Sequence, residues 1–304
     1  MVGWSRTSWA DVSPLRAGSA TLLLSPRRPA TQDCDSEASR LAQVSRAPLN
    51  LASLSALPVR RIDVVAETGS TNADLLARHA SGEDIRGAVL LAEHQSAGRG
   101  RNGRSWSAPP RSQIALSIGV GADGVPPESW GWLPLLTGIA LVDAVAEVTG
   151  IEAGVKWPND VLVGSGKLAG ILAEVAAPDP VIVVGLGLNV TLTPDEAPDP
   201  RATSLQMLGA AQLDRDVLTA AIVRELSARI EKWQSTPGPD PTLVEDYRQR
   251  SSTLGSRVRA LMPGDHEITG TAVDVDELGR LRIDTGTEVI TVSAGDITHL
   301  RAAD

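Results

Sequence analysis

The sequence predicts an α+β fold followed by a small all-β one: a mixed β-sheet domain flanked by helices over residues 45–250, then a small barrel over residues 251–304. Three observations carry this. A chain of 304 residues holds one large domain and one small one. Between Arg60 and Arg250, short β-branched runs are interspersed with long segments of helical apolar period. After Ser251 only strand-like runs remain, separated by turn formers about every ten residues.

Residues 1–44 carry scattered Ser, Arg and Pro with no sustained apolar period, so they bury too little surface to offset the entropy of ordering them. They read as a disordered or extraneous extension, without the paired amphipathic helices that read DNA. The leucine-rich stretch 47–57 predicts a short helix lying on the main domain. That domain opens with a strand over Ile62–Ala66. The turn Thr68-Gly69-Ser70-Thr71-Asn72 follows, and Ser70 or Thr71 caps a helix over Ala73–His79. Ala88–Glu93 is a second strand and Ile114–Val120 a third, which alternates. Leu133–Val148 has the spacing of a long, largely buried helix, and Val161–Val163, Ala169–Val175 and Val181–Leu186 are further strands. Asp214 or Asp216 caps a helix reaching Trp233, with Leu218, Ile222, Leu226 and Ile230 along one face. A shorter helix covers Thr242–Gln249. In the last domain Arg257–Leu261, Ile268–Val273, Arg280–Ile283 and Val289–Val292 are short strands suited to a closed barrel.

Composition excludes several function classes. A formal charge of −9 opposes nonspecific nucleic-acid binding, which depends on a net basic surface. The single Cys34 rules out an internal disulfide framework and fits a reducing compartment. No apolar run approaches the roughly 20 residues that span a bilayer, so a cytoplasmic protein without a membrane partner is expected. An anionic ligand must then be met by a local cluster of cations. Only three of the 28 basic residues are lysines, and two of them, Lys156 and Lys167, lie in one short segment.

The string Gly98-Arg99-Gly100-Arg101-Asn102-Gly103-Arg104-Ser105-Trp106 fits the spacing of a dinucleotide fingerprint, but Ala108-Pro109-Pro110 follows where that motif needs a helix. A Rossmann site is therefore rejected. What remains is a glycine-rich loop carrying Arg99, Arg101 and Arg104, with no acid between Gln95 and Asp123. Guanidinium groups are forked, always-charged donors suited to phosphate, and the Trp106 indole is suited to stacking on a purine. Lys156-Trp157-Pro158-Asn159-Asp160 makes a stiff turn beside a strand. Lys167 lies on a glycine-flanked turn before an apolar strand, and Asn189 ends another. Each alone reads as a solvated or capping residue.

Together, in this order, T-G-S-T-N, E-H-Q-x-A-G-R-G-R-x-G-R-x-W, K-W-P-N-D, G-K-L-A-G-I-L-x-E and G-x-G-x-N-V resemble the bacterial biotin–protein ligases over about residues 46–301. The resemblance is to the monofunctional class, without a DNA-binding domain or repressor activity. It implies a class II synthetase-like catalytic domain and an SH3-like C-terminal barrel. It also implies ATP, biotin and Mg²⁺ as substrates and metal, a biotinyl-5′-AMP intermediate, and a biotin carboxyl carrier protein as partner; a homodimer is an open alternative. By match to the family's positions, Ser70, Thr71, Asn72, Gln95, Arg99, Gly100, Arg101, Lys167 and Gly170 take biotin. Arg101, Arg104, Trp106, Lys156, Asn159 and Asn189 take the adenylate, with Trp106 covering the adenine and the two asparagines reading its edge. Lys167, with Arg99, Arg101 and Arg104, is the expected catalytic group, and Asp160 the expected metal ligand. The polar, self-repelling arginine loop is expected to close over the adenylate.

Overall fold

The computed structural model describes residues 46–236, 240–262, 267–293 and 296–299. The expectations for residues 1–44, Cys34 included, lie outside the described residues.

The strands form two sheets. The first has seven: β1 (Arg61–Val65), β2 (Ala88–Ala92), β3 (Gln113–Gly121), β4 (Gly154–Lys156), β5 (Asp160–Val163), β6 (Gly166–Ala176) and β7 (Val181–Asn189), in the order β1-β2-β3-β7-β6-β5-β4. Only β1 and β2 run parallel; the rest are antiparallel, so the sheet is mixed as expected. Strand β4, only three residues long, escaped the periodicity reading.

One face of this sheet is closed by α3 (Trp132–Thr149) and α4 (Arg215–Ser235), the other in part by α2 (Thr71–Ala80). That double cover explains why β3 and β7 are buried along their whole length. The alternation expected for Ile114–Val120 is present in side-chain direction but not in burial: Ile114, Leu116, Ile118 and Val120 meet α3 and α4, while the intervening residues lie under α2 and the loops.

Helix α3 is apolar all round because it is surrounded: twelve of its 18 residues are buried. With the turn before it, Pro127–Thr149 is long and apolar enough by length and composition to cross a membrane, which corrects the expectation that no such run exists; two thirds of its most apolar 18-residue stretch is buried inside the fold, as in a core helix. Ser70 caps α2 by accepting from the Ala73 amide, and Asp214 caps α4. The predicted 47–57 helix is the single turn α1 (Leu51–Leu54), and α5 covers Pro241–Arg250.

The second sheet holds β8 (Arg257–Leu261), β9 (Glu267–Val275), β10 (Leu281–Asp284), β11 (Val289–Val292) and β12 (Asp296–His299), antiparallel throughout in the order β11-β10-β9-β8-β12. Strand β12 was missed by sequence reading. Among the described residues the ladder is not closed between β11 and β12.

Indole and backbone groups fasten this sheet to the first. Trp157 is buried; its amide donates to Thr253 Oγ1 at 3.0 Å and its Nε1 to the Gly279 carbonyl at 2.9 Å. Trp132 Nε1 reaches the Glu277 carbonyl at 2.8 Å, and the Ser252 amide reaches the Val155 carbonyl. Thr253 Oγ1 also lies 3.2 Å from His299 Nε2, where burial, and then the Lys156 charge, hold the imidazole below its ordinary pKa.

Candidate functional site

The helix-free part of the sheet's second face forms a floor. Register aligns Ser117, Gly185 and Leu172 in one row, Ala115, Gly187, Gly170 and Asp160 in the next, and Gln113 with Asn189 beyond. Glycines lie where other groups come down on the sheet: a Cβ at Gly185 would collide with the Asn72 amide, and one at Gly187 with the Trp106 indole.

At the Gly185 end the first turn of α2 brings a buried polar cluster onto the floor. Ser70, Thr71 and Asn72 are each at most 5% exposed. The Thr71 amide and hydroxyl both donate to Gln95 Oε1, at 2.9 and 3.1 Å. The Ser117 hydroxyl lies 2.6 Å from Thr71 Oγ1 and from Asn72 Oδ1, and Asn72 Nδ2 donates to the Leu172 carbonyl and to Glu174 Oε2. Such a satisfied network holds its donors and acceptors in fixed directions. Four of its members were expected from the sequence; Ser117 and Glu174 were not. Glu174 is the last residue of the G-K-L-A-G-I-L-x-E string, so its signal was present, whereas a serine within an apolar strand gave none.

Lys167 reaches the floor through an irregularity. Asp160 pairs with Gly170 and Val161 with Ala169, but Leu162 pairs with Lys167, so Leu168 is an extra residue in β6. Leu168 and Ala169 consequently both enter the core on the helix side. Lys167 shares the face of Gly170 and Asp160, its Nζ 2.7 Å from Asp160 Oδ1 and 5.5 Å from the Trp106 ring centroid. Its backbone is held on both sides, by the Arg201 carbonyl at 2.6 Å and the Thr203 amide at 2.9 Å. Next to that clamp the Asp199 carboxyl is pulled down to about 2, first by Arg201 and to a smaller degree by Lys167.

The arginine loop is a tight hairpin. Arg99 bridges to Ser105, the Gly100 amide donates to the Arg104 carbonyl at 2.7 Å, and the Trp106 amide donates to the Gly98 carbonyl at 2.8 Å. Arg101–Gly103 form one 3₁₀ turn, in which Asn102 has φ 55° and Gly103 φ 71°. No helix follows, as the prolines required. With Leu172 and Glu174 the loop walls a cleft of about 420 Å³, within the range of small-ligand sites. A larger cleft of about 650 Å³ lies between residues 126–129 and the β9–β10 turn, edged by the Arg248–Asp274 and Arg280–Asp276 pairs, and holds none of these residues.

Three expectations are modified by this geometry. Trp106 does not roof the site: one side of its indole rests over Gly170 and Gly187, so it is part of the floor. The cations are not unopposed, since Arg99 pairs with Glu174 at 2.8 Å and Lys167 with Asp160. Asp160 is thus engaged by a lysine, and no group of three or more His, Cys, Asp or Glu that fits a metal is found among the described residues. The donor set does not make a magnesium cage.

The remaining expected residues are spread along the floor: Asn159 lies beside Ile171, on the Leu172 side of the Asp160–Gly170 row, and Asn189 lies in the far row. Asn159 Nδ2 donates to the Ile171 carbonyl at 2.8 Å and its Oδ1 lies 3.3 Å from Arg101 Nη1, while Asn189 Nδ2 donates to the Thr203 carbonyl. Lys156 pairs across the β4–β5 hairpin with Asp160. The floor therefore joins a fixed polar cluster at one end to the Gln113 and Asn189 amides at the other, with the Lys167 amine and the Trp106 indole over the Gly170–Gly187 row between them.

Comparison with known proteins gives the same region. Residues 64–189 match a family model described as "Biotin/lipoate A/B protein ligase family", and residues 253–300 one described as "Biotin protein ligase C terminal domain". The chain is 56% identical over 245 residues to a biotin--[acetyl-CoA-carboxylase] ligase of Mycobacterium tuberculosis, covering 80% of this chain and 90% of that one. It is 33% identical over 248 residues to the bifunctional ligase/repressor BirA of Escherichia coli, covering 80% and 75%. Among solved structures, a biotin protein ligase from Aquifex aeolicus in complex with biotin and ATP is similar with a TM-score of 0.69 and 26% identity, covering 80% of this chain and 100% of that one.

Proposed function

This chain belongs to the biotin/lipoate A/B protein ligase family, and we propose that it is an ATP-dependent ligase that forms biotinyl-5′-AMP and passes the biotinyl group to a lysine of a biotin carboxyl carrier protein. The observation that carries this reading is the position of the Lys167 amine, over Gly170 in the middle row of the floor, beside the Trp106 indole and between the two dissimilar ends.

A bicyclic ureide presents N–H donors and a carbonyl acceptor, and the Thr71–Asn72–Gln95–Ser117 network suits both kinds of group. Leu172 and the glycine floor suit its apolar body. The first step joins two anions: a biotin carboxylate oxygen attacks the α-phosphorus, and pyrophosphate leaves with the electron pair of the broken P–O bond. Lys167 lies where it lowers the repulsion between the two and stabilises charge growing on the phosphate oxygens. Arg99, Arg101 and Arg104 add to that field. On ligand arrival, Arg99 and Lys167 exchange Glu174 and Asp160 for ligand oxygens, so these ion pairs hold the cations in place beforehand.

In the second step the carrier's neutral lysine amine attacks the mixed-anhydride carbonyl, AMP leaves with the electron pair of the broken C–O bond, and the new amide nitrogen gives up its extra proton to solvent. Neither step calls for a nucleophilic side chain, so positioning supplies much of the acceleration. Mg²⁺ would enter with the nucleotide phosphates. We place the boundary between the catalytic and C-terminal domains at Arg250–Ser251 and the enzyme in the cytoplasm.

Incorporation of labelled biotin into a purified carrier domain, dependent on ATP and compared with lipoate and octanoate, tests the reading. Biotin alone should be transferred; equal use of lipoate would overturn it. Arg101→Ala and Arg104→Ala should loosen the loop over the adenylate, so that the anhydride escapes and labels bystander lysines. Weaker biotin binding without such leakage would place those arginines with biotin instead.

A further inference from the structure

Gln113 is 1% exposed at the first position of β3, opposite Asn189. Its backbone carbonyl accepts from Arg215 Nη1 at 3.3 Å, so the residue is fixed at its root. Its Oε1 accepts from Trp106 Nε1 at 2.5 Å. An indole N–H can only donate, which settles the orientation of the amide. The Nε2 group is then directed elsewhere, and it is buried without a hydrogen-bond partner. A buried, unsatisfied donor costs about 1–3 kcal/mol, and one found at a binding site calls for an acceptor on the ligand. Asn189, opposite Gln113, has already committed its amide nitrogen to Thr203, and Asn159, nearer Leu172, has committed its own to Ile171. Gln113 holds the uncommitted one.

Resting on the activity proposed above, we infer that Gln113 sets the purine subsite: its carbonyl locks the Trp106 indole against Gly187 as a stacking platform, and its amide nitrogen donates to a ring nitrogen of the bound base. It is at once a positioning residue for Trp106 and a specificity residue for the nucleotide. Both partners of the base are then set by one side chain rooted in the central sheet.

The test compares the full chain and Gln113→Leu, which keeps the bulk and removes both polar atoms. ATP and its 1-, 3- and 7-deaza analogues serve as nucleotides in the carrier-labelling reaction. Wild type should lose about tenfold in kcat/KM with one deaza analogue, the value of one hydrogen bond. Gln113→Leu should raise the KM for ATP about tenfold or more, leave the KM for biotin within about twofold, and no longer separate that analogue from ATP. Full discrimination by Gln113→Leu would overturn the inference. So would wild type that uses all three analogues as well as ATP, a comparison that decides the matter even if the variant does not fold. Wild type that fails to label the carrier with ATP and biotin would instead remove the activity reading itself, and this inference with it.

Discussion

Lys167→Ala is expected to lower the rate of adenylate formation by roughly 10²–10³-fold or more, the usual loss when one preorganised charge donor is removed from a reacting centre. The expected loss has two sources. The cation that offsets two converging anions is gone, and Asp160, whose side chain is 20% exposed and paired with Lys167, is left as an unopposed carboxylate beside the incoming phosphate. Lys167→Ala combined with Asp160→Ala should therefore recover part of what the single change loses, a non-additivity expected of groups in contact. Biotin-dependent release of pyrophosphate measures the step, and melting temperature and circular dichroism should remain near wild type because the lysine head is not part of the core. Turnover within a few-fold of wild type would remove Lys167 from the centre of the mechanism.

The second large effect concerns stability. Arg215 and Glu93 form an ion pair in which both side chains are less than 10% exposed, with an N···O distance of 2.6 Å. The pair is well hydrogen-bonded: Arg215 also donates to the carbonyls of Ala47 and Gln113, and Glu93 accepts from the Leu49 amide. Arg215→Ala should cost about 3–5 kcal/mol, because it strands a buried carboxylate rather than simply deleting an attraction. For a folded unit of this size that corresponds to a fall of roughly 10 °C in Tm. Denaturant unfolding checks it, with Arg201→Ala, an exposed pair member, as the comparison expected to move stability by less than about 0.5 kcal/mol. A loss below about 1 kcal/mol for Arg215→Ala would mean the pair does not anchor residues 46–54 to the sheet.

Local chemistry was the readable part. The two helix caps were legible to within a pair of candidates, Ser70 or Thr71 and Asp214 or Asp216, of which the structure uses Ser70 and Asp214, and the arginine string declares its charge without any knowledge of the fold. What escaped depended on partners distant in sequence. Arg99 meets Glu174 across 75 positions, and nothing near either residue reveals the pairing. Ser117 and Gln113 are single polar residues in or beside an apolar run, where a sequence alone cannot separate a site from an interruption. Trp106 was expected to cover the adenine by match to the family's positions; glycines at 170 and 187, in two other strands, let its indole rest on the sheet. Trp157, read as part of a stiff turn, joins the two sheets because its acceptors, Thr253 and Gly279, lie about a hundred positions downstream.

The extra residue at Leu168 makes the sidedness of Lys167 a matter of parity. In an unbroken strand, positions 167 and 170 would emerge on opposite surfaces; the added residue brings them to the same one. The charge at the centre of the proposed chemistry is thus assigned its side by counting, not by contact. Removing Leu168 would make β6 regular from Lys167 to Gly170, and the amine would keep its side, because positions two apart in a strand share a surface. Straightening the irregularity with all three steps retained would instead turn the amine toward the hydrocarbon interior. The side of the charge therefore rests on how many residues β5 and β6 each place in this stretch.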